Sequence, residues 1–154
     1  MRRNVYSSTL RVPENMSTGI SSSGKIEMND KERLFELASL AGKLALDKKG
    51  EDVIILKIGE VSPSIAEYFV IVTGHTKEHL QAISDYIDEH LSEELKLHHV
   101  EGYETGRWVL LDYLDIVIHI MTKEAREYYS LEFIWADAPI IKPGEEDEQD
   151  KDET

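Results

Sequence analysis

Residues 107–121, RWVLLDYLDIVIHIM, decide the fold class. The segment holds two apolar runs, 107–113 and 115–121, with almost nothing between them, and this pattern predicts two strands joined by a tight turn. We expect the turn at Tyr113 and Leu114. The expected cross-strand pairs are then Asp112 with Asp115, Leu110 with Val117, and Trp108 with His119. Because a hairpin pairs its strands antiparallel, the sheet that contains it is not purely parallel.

The two faces of this hairpin differ in chemistry, because side chains alternate along a strand. One face is purely aliphatic and is expected in the core: Val109, Leu111, Ile116, Ile118 and Ile120. The other face is apolar but includes two amphipathic groups: Trp108, Leu110, Val117, His119 and Met121. The second face is the candidate binding surface.

The rest of the folded part alternates helices with strands. Asn29 or Asp30 is expected to cap a first helix that ends near Gly50, because short polar side chains accept unpaired backbone N–H groups. Runs at 53–58 and 68–73 predict buried strands, and a helix should follow from the cap Thr76 to about Leu95. A weak strand near residue 99 and short helices at 122–136 complete the order. This order of helices and strands predicts an α/β fold with a mixed sheet of about five strands flanked by helices.

The composition argues against several classes of protein function. The 154 residues include 31 Asp and Glu against 17 Lys and Arg, for a net charge of −14, which is poorly suited to binding nucleic-acid phosphates. The absence of cysteine excludes disulfides, thiolate zinc sites and cysteine nucleophiles. No apolar run of about 18 residues is present, so we expect no membrane span.

The chain is expected to have three parts. Residues 1–28 are rich in Ser, Thr and Asn and predict a disordered extension, with an organelle transit peptide or vector-derived residues before Met16 or Met28 as alternatives. Residues 29–141 form the folded domain. Residues 142–154, with seven Asp and Glu, predict a disordered acidic tail. Since residues 29–144 still hold 22 acidic against 12 basic residues, the folded part is itself acidic.

Catalytic motifs are missing from the sequence. His75 and His79 lie four residues apart, but Thr76 stands where the metalloprotease motif requires Glu, so we interpret both as surface histidines and expect no metal. Asp112 and Asp115, if opposed across a turn, would repel or hold a cation, although aspartates commonly flank turns. Nucleophile-elbow, dinucleotide-binding and P-loop patterns do not occur. The residues therefore favour a binding module over an enzyme, with no cofactor.

Several segments, in order, make the sequence similar to the ribosomal silencing factor family, also called Iojap. They are YFVIVTG (68–74), HLQAISD (79–85), EG (101–102), WVLLDY with DIVIH (108–119), EAREYY with LE (124–132) and WADAP (135–139). The resemblance covers about residues 30–141. Leu114 and Ala136 stand where the family usually has Gly, and Leu114 disfavours the expected turn because positive φ is costly for Leu.

The resemblance implies a fold similar to the nucleotidyltransferase core without its catalytic carboxylates. It also implies binding to the large ribosomal subunit through its fourteenth large-subunit protein. The bound factor would block joining of the small subunit and repress translation under nutrient limitation, in the bacterial cytoplasm unless residues 1–28 address an organelle. No direct nucleic-acid site and no membrane are expected, and a homodimer is compatible with the family.

For the partner-binding site, the resemblance favours seven residues: Trp108, Leu110, Asp112, Asp115, His119, Arg126 and Tyr129. Trp108 is the expected aromatic anchor, and the two aspartates would meet Arg or Lys of the partner. The alternatives are that Trp108 is buried under the last helix and that Arg126 pairs with nearby acids. The alternative function is a nucleotidyltransferase-like enzyme that uses Asp112 and Asp115 with a divalent ion.

Overall fold

The computed structural model of the protein describes residues 29–143. The helices are α1 (Asp30–Asp47), α2 (Lys77–Leu91), α3 (Lys123–Tyr129) and α4 (Leu131–Ile134). The strands are β1 (Glu51–Leu56), β2 (Tyr68–Gly74), β3 (His99–Glu101), β4 (Trp108–Asp112), β5 (Ile116–Thr122) and β6 (Ile140–Ile141), and a 3-10 turn covers Ile58–Glu60. The predicted extension at 1–28 and almost all of the predicted tail at 142–154 lie outside the described residues.

The six strands form one mixed sheet in the order β3-β4-β5-β2-β1-β6. Only β2 and β5 pair in parallel, and the other four pairings are antiparallel. The α/β class and the mixed sheet are therefore confirmed. The sixth strand is the two-residue β6, which is too short to show a period in the sequence.

The register of the β4–β5 hairpin differs from the prediction. Asp112 pairs with Val117, Leu110 with His119, and Trp108 with Met121. The predicted pairs were wrong because the turn lies one residue later: the Tyr113 N–H donates to the Ile116 carbonyl at 2.9 Å. Leu114, with φ of 75°, takes a turn position that favours glycine. The one-residue shift of the turn moves each pairing by two residues, so both faces keep their predicted composition.

Helices α1 and α2 cover the first face of the sheet. Asn29 caps α1 in a reciprocal capping box with Glu32, and Thr76 caps α2, as the sequence predicted. Both helices place apolar stripes on the aliphatic face, where the predicted hairpin residues are all buried in one cluster: Val109, Leu111, Ile116, Ile118 and Ile120. Helix α2 ends at Leu91 rather than near Leu95, and the first strand spans Glu51–Leu56 because a 3-10 turn begins at Ile58.

Helices α3 and α4 cover part of the second face. Thr122 caps α3 by accepting the Ala125 N–H, and Ser130, with φ of 51°, ends it and turns the chain into α4. A smaller cluster lies beneath, with Phe69, Val117, Met121 and Leu131 among its members. Between residues 29 and 143, no helix is both long and apolar enough to cross a bilayer. The helices on this face leave the β3–β4 side of the sheet partly open.

Candidate functional site

Strand β4 carries a partly exposed row of side chains on the second face. Val109 and Leu111 are fully buried, whereas Trp108, Leu110 and Asp112 are each half-buried. These last three residues are called the β4 strip. The neighbouring edge strand β3 has only three residues, and its outer members His99 and Glu101 are exposed. The strip is therefore accessible from the β3 side of the sheet.

Trp108 lies at one end of the β4 strip and is held on two sides. Its indole Nε1–H donates to Nδ1 of His119 at 3.1 Å, and its ring packs against Tyr129 of α3 with centroids 4.7 Å apart. Gly102, with φ of 76°, lets the chain pass so close to the Trp108 carbonyl that a Cβ atom would collide with it. Trp108 is thus neither free nor buried under the last helix.

His119 is the buried partner of this tryptophan. It is 4% exposed, and its imidazole makes a T-shaped contact with the Phe69 ring at a centroid distance of 4.6 Å. Burial lowers its pKa from 6.5 to about 4, so the imidazole is neutral near pH 7. Because Nδ1 accepts the indole N–H, the proton of the neutral ring lies on Nε2. Nε2 is buried and has no hydrogen-bond partner among the described residues.

Helices α3 and α4 expose four large apolar side chains near their junction. Tyr128 is 79% exposed, Phe133 82% and Ile134 62%, and Tyr129 is exposed to a lesser degree. These four residues are called the aromatic corner. Tyr129 joins the corner to the strip, since it contacts both Tyr128 and Trp108. Large contiguous apolar surfaces on soluble domains usually mark binding sites.

The sequence predicted only Tyr129 of the aromatic corner. The pattern that would have identified Tyr128, Phe133 and Ile134 is two pairs of large apolar residues in helices too short to bury both members. Seven- and four-residue helices present one narrow face to the sheet. Both members of each pair, Tyr128 with Tyr129 and Phe133 with Ile134, therefore stay exposed.

Arg126 lies beneath the corner with its guanidinium engaged inside the domain. Nη1 donates to the Asp52 carbonyl at 2.6 Å and to Thr73 Oγ1 at 2.8 Å, while Nε donates to Glu132 at 2.9 Å. The side chain is only 11% exposed. Arg126 therefore ties α3 and α4 to strands β1 and β2. It lines a cleft of about 410 Å³ whose lining residues carry charges of both signs, among them Lys123, Glu127 and Asp52.

The two candidate carboxylates do not form a pair. Asp112 Oδ1 accepts the Leu114 N–H at 2.8 Å, and so its side chain stabilises the turn. Asp115 lies in the turn, where its carbonyl accepts the N–H groups of Glu67 and Tyr68 while its side chain is exposed. Within residues 29–143, no three His, Asp or Glu side chains converge as metal ligands would. In the observed register Asp112 lies opposite Val117 and not opposite Asp115.

The two histidines with metal-like spacing have structural contacts instead. The rings of His75 and His79 stack with centroids 5.4 Å apart. His79 uses both nitrogens, because Nδ1 accepts the His75 N–H at 3.0 Å and Nε2 contacts the Lys48 carbonyl at 2.7 Å. This arrangement ties the start of α2 to the end of α1.

The fold and its exposed surface define a small α/β domain with an apolar, aromatic face of the type that binds another macromolecule. A family model described as ribosomal silencing factor during starvation matches residues 31–154. A ribosomal silencing factor of Halalkalibacterium halodurans is 39% identical over 108 residues, which cover 70% of this chain and 92% of that protein. The ribosomal silencing factor of Bacillus subtilis is 36% identical over 105 residues, covering 68% of this chain and 88% of that protein.

The same relation holds in three dimensions. A crystal structure of a Chromobacterium violaceum protein matches with a TM-score of 0.63 and 31% identity, over 66% of this chain and 85% of that one. The chain belongs to the ribosomal silencing factor family, a family of translation regulators. The resemblance found in the sequence is thereby confirmed.

Proposed function

We propose that this protein binds the large ribosomal subunit through its fourteenth large-subunit protein and blocks joining of the small subunit. Translation would then be repressed in the bacterial cytoplasm when nutrients are limiting. The mechanism is steric: a bound domain of this size occupies surface that the small subunit needs. No chemical step is required.

The observation that carries the proposal is the exposure of large apolar side chains on the second face, in the β4 strip and in the aromatic corner. Phe133, Tyr128 and Ile134 are each more than 60% exposed, and Tyr129 links Tyr128 to Trp108. Aromatic side chains supply a large share of binding energy at protein interfaces, because they bury much area at small entropic cost. A protein partner accounts for such a surface better than a small ligand, which would need a concave apolar pocket.

The charge of the domain favours a basic partner. Residues 29–143 hold 22 Asp and Glu against 12 Lys and Arg, a net charge of −10. Proteins embedded in ribosomal RNA are typically basic, so charge steering speeds encounter with them and disfavours contact with RNA phosphates. Asp112 and Asp115 lie at the far end of the strip from Trp108, and the exposed Asp115 is the better placed to meet an Arg or Lys.

The seven predicted site residues take different roles in this proposal. Trp108, Leu110 and Tyr129 contact the partner directly. Asp112 and Asp115 give charge complementarity at the hairpin end. His119 and Arg126 act from within, since their polar groups are engaged with Trp108 and with the strands.

A binding titration against purified large subunits tests the proposal. Leu110→Glu and Phe133→Glu are expected to weaken binding at least tenfold, because each places a charge inside an apolar contact. Leu46→Glu is the matched control, since Leu46 is 47% exposed on α1 at the opposite side of the sheet. Equal affinity of all three variants would contradict the proposed surface. Absence of binding by the wild-type protein would contradict the proposed partner.

A further inference from the structure

We infer that His119 is a positioning residue that holds the Trp108 indole as a preformed anchor on the β4 strip. The inference rests on the proposed function in one respect, namely that Trp108 contacts the ribosomal partner. Trp108 touches the partner, and the buried His119 orients it. The direction of the hydrogen bond between them also limits the chemistry that the partner presents to the ring.

The first step is the direction of the indole hydrogen bond. The ring has a single polar atom, Nε1, and its N–H donates inward to the buried Nδ1 of His119 at 3.1 Å. The partner therefore meets Trp108 without an available donor. An apolar group, or an Arg or Lys placed over the ring face, fits this surface, whereas a hydrogen-bond acceptor does not.

The second step is the rigidity of the acceptor. His119 lies on β5, a central strand paired on both sides, and its ring packs against Phe69. On its outer side the indole packs against Tyr129. The tryptophan is thus fixed between a buried ring and a surface ring. Fixing a side chain before binding removes the entropic cost of fixing it during binding.

His119 has a buried ring nitrogen whose burial is energetically unfavourable. Its Nε2 is buried without a partner among the described residues, an arrangement that an aliphatic side chain at this position of the apolar cluster would avoid. The benefit that offsets this cost in the structure is the acceptor for Trp108. The neutral state of the ring keeps this acceptor available near pH 7.

The hydrogen bond is tested on the free, full-length protein by NMR. Only two tryptophans are present, so the Trp135→Phe variant assigns both indole signals. A nitrogen–nitrogen coupling between Trp108 Nε1 and His119 Nδ1 is expected across the hydrogen bond. Absence of that coupling, with a histidine protonated at Nδ1, would overturn the inference.

The positioning role is tested by two substitutions, of which only one keeps a hydrogen-bond acceptor for Trp108. His119→Asn keeps an acceptor, because Oδ1 takes nearly the position of Nδ1, whereas His119→Phe keeps a ring and loses the acceptor. We expect the Phe variant to bind large subunits about three- to tenfold more weakly, because binding must then immobilise the Trp108 side chain. The Asn variant is expected to bind nearly as tightly as the wild-type protein. His119→Leu is a second acceptor-free variant if the Phe variant does not fold.

The outcomes separate this inference from the proposed function. Equal binding by wild type, Asn and acceptor-free variants would overturn the positioning role while the partner stands. Equal weakening by Asn and acceptor-free variants would also overturn it, because that is the pattern of general damage to the core. Failure of the wild-type protein to bind would overturn the proposed partner and the anchor role with it, although the coupling would still report the hydrogen bond.

Discussion

Lowering the pH should destabilise this protein in part through protonation of His119, and the substitution His119→Asn should remove that part of the loss. Burial lowers the pKa of His119 from 6.5 in the unfolded chain to about 4 in the folded domain. Below pH 6.5 the unfolded chain takes up a proton that the folded domain refuses. The stabilisation is therefore complete above pH 6.5 and is lost as the pH falls toward 4.

The magnitude follows from the size of the shift. A difference of two and a half pKa units corresponds to about 3 kcal/mol over the whole range, of which roughly 2 kcal/mol is lost between pH 7 and pH 4.5. His119→Asn removes the titrating group while it retains an acceptor for Trp108. The carboxylates also titrate in this range, but they do so in both proteins and cancel in the comparison.

Urea unfolding at pH 7 and pH 4.5, on wild type and on the Asn variant, measures the effect. The free energy of unfolding of the wild type should fall by roughly 2 kcal/mol more than that of the variant. A fall of the same size in both proteins would refute the reasoning, because His119 would then titrate as an exposed group. A change in the urea slope with pH would show that the compactness of one of the two states, or the two-state behaviour itself, depends on pH.

Three further substitutions test other parts of the structure. Leu114→Gly should raise the free energy of unfolding by about 0.5–1 kcal/mol, because Leu114 has φ of 75° and is half exposed; a lower melting temperature would contradict this. Arg126→Ala should lower the free energy of unfolding by about 2–3 kcal/mol, because it breaks buried charged hydrogen bonds. The control Lys123→Ala, on the exposed start of the same helix, should change the free energy of unfolding by less than about 0.5 kcal/mol in the same denaturation assay. Phe133→Ser should leave stability within about 0.5 kcal/mol of wild type and weaken binding to large subunits about tenfold, and equal loss by the control Leu46→Ser would contradict that surface.

Local patterns predicted the parts of the fold that local physics controls. The period of two in residues 107–121 placed Ile118 in the core and Trp108 on the other face. Capping chemistry placed the helix starts at Asn29 or Asp30 and at Thr76, and Asn29 and Thr76 are the caps. The register failed because it depends on which residues occupy the turn. Leu114 adopts a positive φ that its own preference disfavours.

The sequence indicated individual residues of the candidate site but not the contacts between them, because those contacts join residues far apart in the chain. Trp108 and Tyr129 follow from strand alternation and from the resemblance, but their contact needs the position of α3 over the sheet. Arg126 joins residues 53 and 74 positions away in the chain, at Thr73 and Asp52, and no local spacing encodes such partners. The predicted similarity to the nucleotidyltransferase core stays a prediction.

The most direct measurement of the central claim is a subunit-joining experiment. Purified large and small ribosomal subunits are mixed at moderate salt with and without the protein and separated on a sucrose gradient. The protein is expected to comigrate with the large subunit and to reduce the joined ribosome peak. Phe133→Glu is expected to restore that peak, and Leu46→Glu is not. Comigration with an undiminished joined peak would contradict the blocking mechanism, and absence of comigration would contradict the partner.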